Sequence, residues 1–241
     1  MDATKKAIVV GATSGIGRQL AVILAENNYK VGITGRRLGL LTELKATNPG
    51  VYFISDFDVS NIAEVPEKLQ QLVDELGGLD LLVLSSGAGK VNPKLDHGIE
   101  KYTNEVNVMG FTVVADWAFN YFDVQGFGHF AAITSVAAIR GSRQAPAYNA
   151  SKAYQVNYLE GLTQRAGNLK KPIYIADIRP GFVDTPMAKA EKLFWVASVN
   201  KAANQIFKAI ENKRSVVYIT KRWRLVGFLF RMIPGFLYKK L

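Results

Sequence analysis

The sequence predicts an α/β fold, a doubly wound parallel sheet with helices on both faces, and three observations predict it. Short apolar runs alternate with amphipathic stretches of helical period along the chain. The central runs, such as Leu79-Asp80-Leu81-Leu82-Val83-Leu84, are nearly continuous in apolar residues, as suits strands covered on both faces. A glycine-rich turn, Gly11-Ala12-Thr13-Ser14-Gly15-Ile16-Gly17, separates the first apolar run from the first helical stretch.

Taken in order, Ala7-Ile8-Val9-Val10 marks a strand over 6–11, and the amphipathic stretch from Arg18 to Asn28 places a helix over 15–28. Val31-Gly32-Ile33-Thr34 marks a strand over 30–34, a helix follows over 37–46, and Thr47-Asn48-Pro49-Gly50 is a turn. The same alternation gives strands over 51–55, 79–84, 127–134, 172–178 and 215–220, with helices over 61–76, 100–122, 147–167 and 199–212. Seven strands joined by helical crossovers must run parallel. Neither a repeat nor a Pro/Gly/Ser-rich linker interrupts them, and 49% apolar content suffices for one core, so residues 1–241 are expected to form one domain.

Ligands of such sheets lie beyond the carboxyl ends of the strands, where Gly11, Ser85, Ser135 and Pro180 all fall. The glycine turn suits a pyrophosphate. Glycines allow the tight bend and close backbone approach, while the following helix N-terminus offers free N–H groups and partial positive charge. Tyr148 and Lys152 lie four residues apart, on one face of the predicted helix, and an ammonium beside a phenol favours the phenolate. Ser135, thirteen residues before the tyrosine, ends an apolar strand where its hydroxyl can reach a ligand. Taken alone, this segment also fits an ordinary helix with an exposed Tyr and Lys.

The joint pattern resembles the classical short-chain dehydrogenase/reductase family over nearly the whole chain. Val10-Gly11-Ala12-Thr13-Ser14-Gly15-Ile16-Gly17 is similar to its T-G-x-x-x-G-x-G, with Val10 where Thr is usual. Asn107-Val108-Met109-Gly110 is similar to its N-x-x-G, and Asn107, Ser135, Tyr148 and Lys152 match its tetrad. Arg179-Pro180-Gly181-Phe182-Val183-Asp184-Thr185 is similar to its P-G-x-V-x-T segment, which implies nicotinamide-carboxamide contacts from Pro180, Gly181, Val183 and Thr185. One departure stands out: Leu84-Ser85-Ser86-Gly87 replaces the family's N-N-A-G, so both asparagines beside the adenosine half are missing, and Ser85, Ser86 and Gly87 are the cofactor contacts the segment still offers.

The resemblance implies a Rossmann-type domain and a hydride transfer between a nicotinamide cofactor and a carbonyl or secondary alcohol. Tyr148 is then the acid/base, Ser135 fixes the substrate oxygen, and Lys152 lowers the tyrosine pKa and holds the nicotinamide ribose. Asn107 supports a water that resupplies the proton through the lysine. Asp58, with Val59 beside it, matches the adenine contact, whereas Asp56 reads as a capping or loop residue. Charge argues for NADP(H) over NAD(H): after the second strand stand Arg36 and Arg37, where an NAD site usually places a carboxylate, and paired guanidinium donors suit a 2′-phosphate. Epimerases and dehydratases of related folds space their glycines differently. The alternative to an enzyme is a catalytically idle NADP(H)-binding sensor or scaffold.

The segment Met187–Ser198, by resemblance the substrate lid, carries the apolar patch Leu193-Phe194-Trp195-Val196. That patch fits either a lipophilic carbonyl substrate or a lid packed on the core. No cysteine and only two histidines, His97 and His129, argue against a metal site. From Asn212 to Leu241 there are eight Lys or Arg and no Asp or Glu, which supplies most of the formal net charge of +10. Over about 221–241 these cations interleave with large apolar residues, giving a basic amphipathic segment too interrupted to span a bilayer. A peripheral membrane contact, a subunit contact and a wall of the substrate cleft all fit it; no nucleic-acid motif accompanies it. A chain opening directly on a strand leads us to expect no signal peptide and a cytoplasmic location, with or without attachment at a membrane surface; a homodimer or homotetramer is expected as well.

Overall fold

The computed structural model describes residues 4–186 and 194–239. Of the lid segment named above, residues 187–193 lie outside the described residues.

Seven parallel strands form one sheet in the order β3-β2-β1-β4-β5-β6-β7. They are β1 (Lys5–Val10), β2 (Tyr29–Thr34), β3 (Tyr52–Ser55), β4 (Leu81–Leu84), β5 (Gly128–Ile133), β6 (Ile173–Pro180) and β7 (Val216–Ile219). Strand order reverses between β1 and β4, which are paired from Ala7↔Leu81 to Val10↔Leu84, and beyond such a reversal a doubly wound sheet offers its ligand crevice.

The apolar runs are continuous because each strand feeds two cores. In β1, Ile8 and Val10 pack into the layer under α3 (Val65–Leu76), α5 (Phe111–Gln125) and α6 (Pro146–Leu169), with Leu72, Phe119 and Phe122. Ala7 and Val9 point the other way, toward α1 (Gly15–Glu26), α2 (Leu38–Thr47) and α7 (Val199–Glu211), with Leu20, Leu24 and Ile206. All four are fully buried. Period-two alternation therefore serves both faces, and each of the larger side chains, Ile8, Val9 and Val10, contributes about 1.5–3 kcal/mol by leaving water.

Two regions differ from the sequence reading. The single helix expected over 100–122 is α4 (His97–Asn104), a π-helical stretch Glu105–Gly110, and α5. At Gly110 the stretch lies against β3's outgoing loop, where a Cβ would stand 2.6 Å from the Val59 carbonyl oxygen. The basic segment is also folded, as α8 (Arg222–Met232) and α9 (Gly235–Tyr238), with Pro234 breaking between them. Among the described residues no helix is long and apolar enough to cross a membrane.

Candidate active site

The glycine turn is packed tightly. Gly11 adopts φ +93°, and a Cβ there would stand 2.6 Å from the Ser86 amide nitrogen; at Gly17 it would stand 2.1 Å from the Gly11 carbonyl oxygen. Any side chain at either position would push α1 off the ends of β1 and β4. Ser14, in the N-cap position, gives α1 no side-chain cap, so the first N–H groups of that helix keep their capacity for an anion. Ser85 and Ser86 donate their backbone N–H groups to the Val10 carbonyl at 2.8 and 2.9 Å, which folds the β4 loop onto the turn.

The two arginines part company. Arg37 lies over the glycine turn, donating to Thr13 Oγ1 (3.2 Å from Nε) and Ser14 Oγ (2.8 Å from Nη2). Arg36 reaches Asp58 Oδ2 at 3.3 Å and the Tyr102 hydroxyl. Burial pushes the Asp58 carboxyl up, but hydrogen bonds from Ser60 and the Arg36 charge outweigh it and hold the group below its ordinary value.

At the other side of the crevice, α6 carries Tyr148 and Lys152. The Lys152 ammonium is buried and donates to the Ile133 carbonyl at 3.0 Å and to Gln155 Oε1 at 2.9 Å, lying 5.9 Å from the centre of the Tyr148 ring. Burial pushes this lysine down to about 8, with Asp177 opposing the fall. Burial likewise pushes the Tyr148 phenol above its ordinary value, and the Ser135 hydroxyl pulls it part of the way back. The expectation that Lys152 lowers the tyrosine is therefore corrected: its ammonium gives its protons to Ile133 and Gln155, and desolvation governs the phenol. Ser135, extended at the end of β5, caps the turn Val136–Ile139 by accepting from Ala137 N at 3.0 Å.

Asn107 is fully buried in the π-helical stretch and pairs both ways with Ala88, accepting from its N–H at 2.8 Å and donating to its carbonyl at 2.6 Å. Its own carbonyl accepts from Gln155 Nε2 at 2.9 Å. The Gln155 amide thus joins the Asn107 carbonyl to Lys152. Gln155 was missed in the sequence, yet its spacing of three from Lys152 and seven from Tyr148 marks the same helix face.

The remaining predicted residues close the site. Gly87 faces Asn107 and Lys152, while Gly89 packs on the Tyr148 ring. Gly181 donates to the Ile219 carbonyl at 2.7 Å, Val183 bridges to Ala197, and the Thr185 methyl lies 3.3 Å from where a Gly15 Cβ would be. The P-G-x-V-x-T segment therefore reaches from β6 back to the glycine turn. Asp58 and Val59 stand at the outer side, beside Arg36 and the π-helical stretch.

Comparison with known proteins agrees with this geometry. Residues 5–194 match the family model of the short chain dehydrogenases. An uncharacterized oxidoreductase of Mycobacterium tuberculosis is 30% identical over 219 residues, covering 87% of this chain and 85% of that protein. A short chain dehydrogenase/reductase from Burkholderia phymatum in complex with NAD superposes with a TM-score of 0.84 at 22% identity, covering 93% and 92% of the two chains. An alcohol dehydrogenase from the archaeon Thermococcus sibiricus, complexed with 5-hydroxy-NADP, gives 0.78 at 21% identity, covering 89% and 94%. The chain belongs to the short-chain dehydrogenase family. It is an oxidoreductase with a nucleotide-binding, Rossmann-like fold.

Proposed function

We propose that this oxidoreductase is an NADP(H)-dependent carbonyl reductase, running in reverse as an alcohol dehydrogenase, with Tyr148 as the general acid/base. The observation that carries the reading is the gathering of Ser135, Tyr148 and Lys152 at the carboxyl edge of the sheet, beside the loop that rests on the glycine turn. The crowded backbone at Gly11 and Gly17 and the uncapped start of α1 fit a dinucleotide pyrophosphate. Gly11–Gly17 and Ser85–Gly87 would hold the adenosine and phosphate half with Asp58 and Val59. Lys152, Pro180, Gly181, Val183 and Thr185 would hold the nicotinamide half. When bound, the nicotinamide supplies or accepts the hydride.

Preference for NADP(H) is supported by Gly35, which puts no carboxylate at the end of β2, and by the guanidiniums of Arg36 and Arg37 that follow. Since the solved relatives include both an NAD and a 5-hydroxy-NADP complex, the preference rests on those residues.

A phenol held above its ordinary value stays protonated through neutral pH, so in the reductive direction Tyr148 is available as the proton donor to a developing alkoxide. Ser135 donates to the same oxygen and fixes its position. Buried Lys152, beside the ring, would hold the nicotinamide ribose hydroxyls. The substrate we infer is a lipophilic carbonyl or alcohol, because Phe182, Phe194 and Trp223 form an aromatic cluster beside the P-G-x-V-x-T segment. A homodimer or homotetramer in the cytoplasm completes the reading, with Met109, Val124 and Tyr154 offering exposed apolar surface for subunit contact. An idle sensor has no use for the assembled Asn107, Ser135, Tyr148 and Lys152.

Tyr148→Phe is the test. Turnover of NADPH with a panel of ketones and aldehydes should fall about 100- to 10,000-fold while NADPH affinity, read by fluorescence titration, persists. Near-wild-type turnover would remove Tyr148 from the chemistry.

A further inference from the structure

The amphipathic helix α8 has its apolar stripe on the wrong side for a globular protein. Trp223 and Gly227 face inward and are buried. At about 100° per residue, Leu225, Phe228, Leu229 and Met232 fall on the opposite face, and they are between 54% and 66% exposed. Arg222 lies along one edge of this stripe, and Arg224 and Arg231 along the other, all exposed. Exposed Phe236 and Leu237 of α9 continue the apolar surface past Pro234.

The inward side of the helix rests on both loops that frame the candidate site. Trp223 fills the space beside Gly181, where a Cβ would meet its indole at 2.1 Å, and stacks edge-on against Phe182 with centroids 5.3 Å apart. Gly227 lies against Ile139, in the turn that follows Ser135. Arg140, next in that loop, donates to the Ile233 carbonyl at 3.3 Å and stands 4.3 Å over the Tyr238 ring. The outward stripe and the substrate side of the crevice therefore share one end of the molecule.

We propose that this face docks on an anionic lipid bilayer, which brings the substrate crevice to the membrane surface and makes the bilayer the source of its carbonyl or alcohol substrate. The second half of that statement rests on the lipophilic-substrate reading above. Charge selects the occupant. From Lys221 to Lys239 there are five cations and no acidic residue, so a twofold pairing of this face with its copy would set cation against cation, whereas anionic headgroups complement it. The stripe flanked by arginines on both edges is the arrangement that places apolar side chains at the acyl boundary and guanidiniums among phosphates.

The experiment is co-sedimentation of the full chain with vesicles of phosphatidylcholine alone and of phosphatidylcholine mixed with phosphatidylglycerol, at low and high salt, alongside light scattering for oligomer size. The wild type should bind the anionic vesicles, and added salt should weaken but not abolish that binding. Phe228→Glu with Leu229→Glu should lose at least about tenfold in bound fraction, with circular dichroism and oligomer size unchanged. Arg224→Gln with Arg231→Gln should lose about tenfold or more on anionic vesicles and little on neutral ones. Tyr148→Phe should bind vesicles as the wild type does, which separates docking from chemistry: loss of turnover in that variant alongside a wild type that ignores vesicles overturns the docking proposal alone. A fall in oligomer size for the glutamate variant, without vesicle binding by the wild type, also overturns it and assigns the face to a second copy.

Discussion

Lys152 carries a charge in a place that resists it, and the consequence is a pH dependence of stability that can be isolated. Burial brings its pKa from 10.5 to about 8 in the folded chain. Between those values the unfolded chain binds a proton that the folded chain does not, so stability rises with pH across that window. Below about pH 8 the full cost of charging the buried amine is present, and above 10.5 it is gone. The gap corresponds to roughly 3 kcal/mol. Lys152→Met removes this titration. Urea unfolding of both proteins at a series of pH values from neutral to about 10.5 gives the difference in their stabilities, in which the titrations common to both, raised tyrosines included, cancel. The wild type should gain roughly 3 kcal/mol on the variant as pH climbs through the window. The bonds from Lys152 to Ile133 and Gln155 set the offset at low pH but not the slope. A difference that stays flat, or falls with rising pH, would show that the ammonium is not desolvated as described.

Arg36→Ala should raise the KM for NADPH by about tenfold or more, the scale of one lost charge-assisted contact, while leaving NADH nearly unchanged; equal losses in steady-state kinetics would refute a 2′-phosphate role. Gln155→Leu leaves the Lys152 amine without one acceptor and the Asn107 carbonyl without its side-chain donor, so kcat should fall about tenfold with KM little changed, and the limb of the pH–rate profile that reports the lysine should move to lower pH. Gln155→Glu, placing a carboxylate against the ammonium, should move that limb to higher pH; a profile unmoved by either change would reduce Gln155 to packing.

Much of the architecture is legible in the sequence because period-two and period-3.6 patterns report which faces are covered. All seven strands fall where the apolar runs predict, and the ends at Gly11, Ser85, Ser135 and Pro180 meet at one edge. What local pattern cannot show is where a side chain goes once neighbours arrive. Helical spacing puts Tyr148 and Lys152 on one face, but the ammonium donates to Ile133 and Gln155, and burial holds the phenol above its ordinary value. The π-helical turn at Glu105–Gly110, where Gly110 packs on Val59, is invisible to a window tuned to 3.6 residues. The basic tail is conspicuous in composition, yet only its packing separates buried Trp223 from exposed Phe228.

The insertion of Trp223 beside Gly181 also decides how this protein can be tethered. Any tag, fusion partner or surface linkage at the carboxyl terminus hangs from α8 and α9, whose inner side braces the loops after β5 and β6, so a load there pulls on the crevice itself. The start of β1 at Lys5 opens the other edge of the sheet, a strand length of about 20 Å away. An attachment at that edge leaves the indole in its slot and the crevice free to meet whatever surface it is offered.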